Sequence, residues 1–189
     1  MSFGKHLRQY INRSKKEEKL QIEILKAGDI KNKHFAECKL LYEKMFSDKG
    51  IPQIFNAKLA HCYDSNEALL IGMVYYDAVP VGFDAVIYGE KSARLWLAAF
   101  DFRDDATNSQ VLSRAHQQLD WEIMCWCKEY GIEEFDFGGI SNFENPNGID
   151  NFKLSFERNN KVTYQNYLVG NSLLGKIAIK IFMMRKNRG

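Results

Sequence analysis

Glu134-Phe135-Asp136-Phe137-Gly138-Gly139-Ile140 is followed, across the loop from Ser141 to Asn147, by Gly148-Ile149-Asp150-Asn151-Phe152-Lys153-Leu154-Ser155-Phe156. The first run reads as a short strand that ends on two glycines. Adjacent glycines at a strand end are costly unless the backbone needs an unusual conformation or another group must come close. Gly138 and Gly139 therefore mark a cleft or a tight turn. The loop is rich in turn formers, and beyond it Ile149, Phe152 and Phe156 recur at helical spacing. Lys153 lies beside that apolar face, where its stem can be covered while its amine reaches into the space the loop encloses. Asp136 alternates with Phe135 and Phe137, which suits it to bracing the loop by hydrogen bonds.

Working back from this stretch, the clearest helix runs from about Asn108 to Tyr130, with Val111, Leu112, Ala115, Leu119, Ile123, Trp126 and Tyr130 on one stripe. Thr107 or Asn108 is a natural cap and Gly131 a natural stop. Before it come three strands, Ala68 to Tyr76, Val79 to Tyr88 and Ala93 to Asp101, whose separators are of hairpin length. A strand near Leu20 to Leu25 and helices from about Lys31 to Ser47 and Gln53 to Tyr63 precede these. The strand ending at Asp101, the long helix and the strand ending at Phe137 make a right-handed parallel crossover. It brings both strand ends, the helix start and the glycine hinge to one crevice, where open α/β sheets bind ligands. The fold class expected is α/β in the α+β sense, with a mixed, mostly antiparallel central sheet flanked by helices.

Composition bounds the rest. With 189 residues, 46% of them hydrophobic, the chain supports one substantial core. The expected organisation is a polar, basic N-terminal arm over residues 1–19, one domain over 20–170, and a basic amphipathic helix over 171–189. A strand from Lys161 to Val169 closes the domain, and the last helix starts at about Asn171. The first 20 residues carry +4 and the last 19 carry +5, so with +2 overall the body between them is at −7. An acidic body is a poor nonspecific nucleic-acid surface. The basic ends leave contact with RNA phosphate or with an acidic membrane face open, beside simple solvation. The last helix either covers the domain's own core or lies on a membrane surface. With no signal sequence and no long apolar span, the expected location is the cytosol. Cys38, Cys62, Cys125 and Cys127 read as small core residues in a reducing compartment.

The segment from about Ala68 to Phe156 resembles the acetyltransferase-type domain of the Fem-like aminoacyl and acyl transferases, within the GNAT superfamily. The residues carrying the resemblance are Val-Tyr-Tyr-Asp-Ala-Val-Pro-Val-Gly-Phe-Asp-Ala from Val74 to Ala85, Leu119 and Trp121 in the long helix, Gly131 to Gly139, and the pair Phe152-Lys153. The Q/R-x-x-G-x-G/A phosphate-binding pattern usual in GNAT proteins is absent, and Ala-Thr-Asn-Ser-Gln stands at 106–110 instead. The donor is therefore open between acyl-CoA and aminoacyl-tRNA, used as a co-substrate with no tightly bound cofactor. The resemblance implies transfer to an amino group of a small-molecule or lipid-linked acceptor, such as a cell-envelope (peptidoglycan) precursor or a sugar. Fem proteins typically have two such domains, and this chain has room for one.

Acyl transfer to an amine needs a cation or N–H groups at the developing oxyanion and a base for the amine proton. Lys153 is the candidate for the first, and the resemblance implies that it lies near the donor's reacting end. Asp101, at the end of a strand, is the candidate base, or else a cap for the loop that follows. Thr107, Asn108, Ser109, Gln110, Gly138, Gly139 and Phe152 are the candidate donor-binding residues. Asp84 alternates along an apolar strand, and the exposed face is expected for it. His116 is expected to be structural. No His or Cys has a partner at metal-ligand spacing, so no metal site is expected. No G-x-S-x-G turn and no G-x-x-x-x-G-K-[ST] loop occurs, so direct transfer without a covalent enzyme intermediate fits best. Two other readings stay open: a noncatalytic binding module on the same fold, and a membrane-surface interaction protein organised by the last helix.

Overall fold

A computed structural model of the chain describes residues 5–102, 109–142 and 144–156. Ten elements follow in order: α1 (Lys5–Ser14), β1 (Leu20–Lys26), α2 (Asn32–Asp48), α3 (Ala57–Ser65), β2 (Leu69–Tyr76), β3 (Val79–Tyr88), β4 (Ser92–Phe100), α4 (Ser109–Tyr130), β5 (Glu134–Asp136) and α5 (Gly148–Leu154). The expected strand from Lys161 and helix from Asn171 lie outside the described residues, as do Thr107 and Asn108.

The strands form one sheet in the order β1-β2-β3-β4-β5. Pairing is antiparallel from β1 to β4, and β4 with β5 is parallel. This is the mixed sheet and the crossover expected from the sequence. Asp77 and Ala78, with φ of 49° and 64°, turn β2 into β3, the primed geometry that matches strand twist in a two-residue hairpin. β2 is apolar almost throughout because both its faces are covered. One face carries Leu69, Ile71, Met73, Phe83, Ala85 and Ala99 under α2 and α3. The other carries Leu70, Val74, Val86 and Phe100 under Leu112, Ala115, Leu119 and Ile123 of α4. Gly72 lets α4 come close, since a Cβ there would stand 2.4 Å from Leu119 Cδ1.

Two elements depart from expectation. The helix expected from Gln53 starts at Ala57, because the Asn56 side chain accepts the Leu59 N–H and sets the first turn there. Residues 5–14, expected within a polar arm, form α1, which buries Leu7 and Ile11 against Met124 and Phe156. An apolar pair four residues apart is one helical stripe, short but sufficient to dock a ten-residue helix. No helix among the described residues is long and apolar enough to cross a membrane.

Candidate active site

β4 and β5 are paired only from Ser92 with Glu134 to Arg94 with Asp136. Beyond that point β4 runs on through residues 95–100, and Trp96 is left without a partner on β3, which puts a bulge where the two strands part. Opposite this opening the chain leaves β5 through the glycine hinge. Asp136 Oδ1 accepts the Gly138 N–H at 2.7 Å, and Asp136 Oδ2 lies 3.6 Å from Arg94 Nε. Gly138 has φ +79°, a region that L residues rarely adopt. The bracing role expected of Asp136 is therefore what the hydrogen bond performs.

Lys153, in the last turn of α5, donates from Nζ to the Gly139 carbonyl at 2.8 Å. A Cβ on Gly138 would stand 3.8 Å from the same Nζ. An ammonium has three donors and this contact uses one. The loop between hinge and helix is tied by Asp150, which is 2% exposed. It accepts from the Ser141 hydroxyl, from Ser141 N at 2.9 Å and from Asn147 N at 3.2 Å, while the Asn147 side chain caps α5 by accepting from Ile149 N and Asp150 N. These bonds, led by the Ser141 hydroxyl, hold the Asp150 carboxyl below its usual range. The sequence reading missed Asp150. Its signal was Asn147 followed three residues later by an acid, a capping-box pattern.

Asp101 directly follows β4, and its carboxylate is ion-paired with Lys44 of α2. Next to it, the Phe100 ring lies on Gly82, where a Cβ would meet ring carbons at 2.3 to 2.7 Å. The His116 ring stacks on Phe100 at 4.1 Å between centroids and on Phe152 at 4.6 Å. A column Phe100–His116–Phe152 thus links the end of β4 to α5, and the residues that follow its two outer rings are Asp101 and Lys153. Gly138, Gly139, Phe152 and Lys153 are brought together around the hinge. Ser109 and Gln110 open α4 and are exposed.

Asp84 is not on an exposed face. It pairs with Gly72 and shares the α4 side of the sheet with Val86, at 0% exposure. His116 Nε2 lies 3.4 Å from Asp84 Oδ1 and 3.7 Å from Asp120 Oδ2, and Asp120 is also at 0%. Among the described residues, this is the group of His, Cys and acidic side chains whose ligand atoms all fall within 4.8 Å of one another. Burial opposes charge on His116, but Asp84 and then Asp120 outweigh it and the imidazole is raised. Burial, reinforced by Asp84, holds the Asp120 carboxyl well above its ordinary range. The sequence signal for the pair on α4 was the i, i+4 spacing of His116 and Asp120.

Comparison with known proteins places this geometry. A C-terminal domain from Agrobacterium fabrum assigned to a lysylphosphatidylglycerol synthetase superposes with a TM-score of 0.61 at 17% identity, over 80% of this chain and 50% of that one. FemX gives 0.62 at 10% identity, over 80% of this chain and 53% of that one. An aminoglycoside acetyltransferase from an uncultured soil metagenomic sample, solved with sisomicin, gives 0.50 at 19% identity, over 82% and 95%. The chain spans about half the length of the first two. At such identities the likeness is one of fold. No curated protein matches the chain. The family model described as "Acetyltransferase (GNAT) domain" matches residues 1–154, which takes in every element from α1 to α5, so the chain belongs to the GNAT acetyltransferase family, a family of N-acyltransferases.

Proposed function

We propose that this domain transfers an acyl or aminoacyl group directly to an amino group, on a sugar or a cell-envelope precursor, in the opening between β4 and β5. The observation that carries the reading is the Lys153 ammonium tethered to the Gly139 carbonyl, at a hinge that Gly138 makes with a φ of +79°. The acceptor nitrogen attacks the donor carbonyl carbon and a C–N bond forms. The carbonyl oxygen becomes an oxyanion beside Lys153, whose two remaining N–H groups are directed to it. Collapse breaks the bond to the leaving group, a thiolate from a thioester or a ribose oxygen from an ester. The proton lost by the amine passes to Asp101, within its pair with Lys44, and on to that leaving group. Ser109, Gln110 and the residues before them bind the donor's phosphates at the start of α4, where backbone N–H groups favour anions. Two neighbours lend support to an amine acceptor: one is an aminoglycoside acetyltransferase, the other is assigned to lysylphosphatidylglycerol synthesis.

The deciding experiment titrates the full chain with acetyl-CoA and with aminoacyl-tRNA, and follows transfer to amino sugars. Saturable binding of one donor with turnover supports the reading and names the donor. Binding of neither, or binding without turnover on any amine, overturns it in favour of a noncatalytic module.

A further inference from the structure

Three ionisable side chains lie together between α4 and the sheet, behind the site just described, and the reaction above uses none of them. Five of their atoms, both oxygens of Asp84, both oxygens of Asp120 and Nε2 of His116, are buried and find no hydrogen-bond partner among the described residues. Two carboxylates can approach each other out of water only with a proton or a cation between them. A divalent cation fits poorly. A metal here would draw on the carboxylate oxygens and Nε2 alone, because Asp84 and Asp120 at 0% exposure offer no surface to a water that would complete its shell.

We propose that Asp84, His116 and Asp120 form a proton-sharing triad, an imidazolium with one proton held between the two carboxylates, and that His116 in this state is the positioning residue for α5. Such a triad is electrically neutral, which is what a fully buried group requires. The groups facing the imidazole are Asp84 from β3 and Asp120 from its own helix. From β4 and α5, among the described residues, it meets the rings of Phe100 and Phe152. The imidazole is held by charge, with Nε2 at 3.4 and 3.7 Å from the two acids, and between two rings, of which Phe152 stacks on its plane one residue before Lys153. Charge on the imidazole strengthens the contact with the aromatic faces on both sides. The positioning part rests on the function proposed above, and the triad itself does not.

The test is a pH titration of the full chain with 15N-labelled histidine, together with the metal content of the purified protein. His116 is expected to remain doubly protonated to a midpoint above that of an ordinary histidine, because Asp84 and then Asp120 favour its charged form. Asp120→Asn, which keeps the shape of a neutral acid, should fold and keep the imidazolium; Asp84→Asn with Asp120→Asn should lose it. A neutral His116 at pH 6, or one equivalent of a divalent metal, overturns the triad. Protection factors over residues 148–156, that is, exchange corrected for its intrinsic pH dependence, should fall about tenfold as His116 loses its proton. Protection there that ignores the titration overturns the positioning role. Lys153→Met leaves the triad's titration unchanged, and an unmutated chain that shows no transfer yet holds the imidazolium counts against the proposed function and not against the triad.

Discussion

Lys153 is held by one backbone oxygen and keeps donors to spare, and this decides what its loss should do. Lys153→Met retains the aliphatic stem and removes the cation. Turnover should fall by about two to three orders of magnitude, the scale of a single oxyanion donor, with donor affinity and melting temperature little changed. Steady-state kinetics beside a melting curve check this, and normal turnover would return Lys153 to a structural role. The buried triad predicts a pH dependence of stability instead. Both His116 and Asp120 have raised folded-state values. Each therefore contributes stability that is full below its unfolded value, near 6.5 and 3.8 respectively, and that is lost as pH rises through the folded value. The melting temperature should fall from neutral to alkaline pH, and Asp120→Asn should flatten that fall by removing the ionisable acid. A wild-type melting temperature constant across this range would contradict the assignment. Lys153 was legible in the sequence because the glycines point to it. Asp84 was not, since in a sheet covered on both faces the period of two does not say which side is wet.

Among the elements, β4 sets the site through a single ring. Phe100 occupies the space a side chain at Gly82 would need, and it supports His116 and through it Phe152. Gly82→Ala should cost about 1–3 kcal/mol as an overpacking substitution, and should lower turnover by more than the unfolded fraction explains, because the whole column shifts. Denaturant unfolding run alongside kinetics separates the two effects. The helix α1 makes a different case, an element held by the burial of Leu7 and Ile11. Leu7→Ala empties a buried position against Met124 and Phe156, and a loss of about 2–5 kcal/mol is expected, visible as a lower unfolding midpoint at unchanged slope. The meander and the long helix were readable from their separators and their periodicity. α1 was hidden because its stripe has two buried apolar residues, Leu7 and Ile11, among basic and polar ones, which reads equally as a solvated arm.

At the scale of the molecule, an acidic body between basic ends predicts how a donor's identity would show itself. Binding of aminoacyl-tRNA would depend on the ends and weaken steeply with salt, through release of counterions. Binding of acetyl-CoA at the start of one helix would depend on salt far less. Affinity measured between low and high salt tells them apart, and a flat response to salt for tRNA would remove it as a specific partner. The sheet has a further consequence for the order in which the chain comes apart. β1 to β4 are neighbours in space in the same order as in sequence, each pair running most of its length, whereas β5 joins by three residue pairs after a crossover of a whole helix. Contacts of this second kind form late and open early. The smallest excursions from the native state should therefore release β5, the glycine hinge and α5 while the four-stranded meander stays intact, so the end of the molecule where we propose transfer is also the end it can open without unfolding.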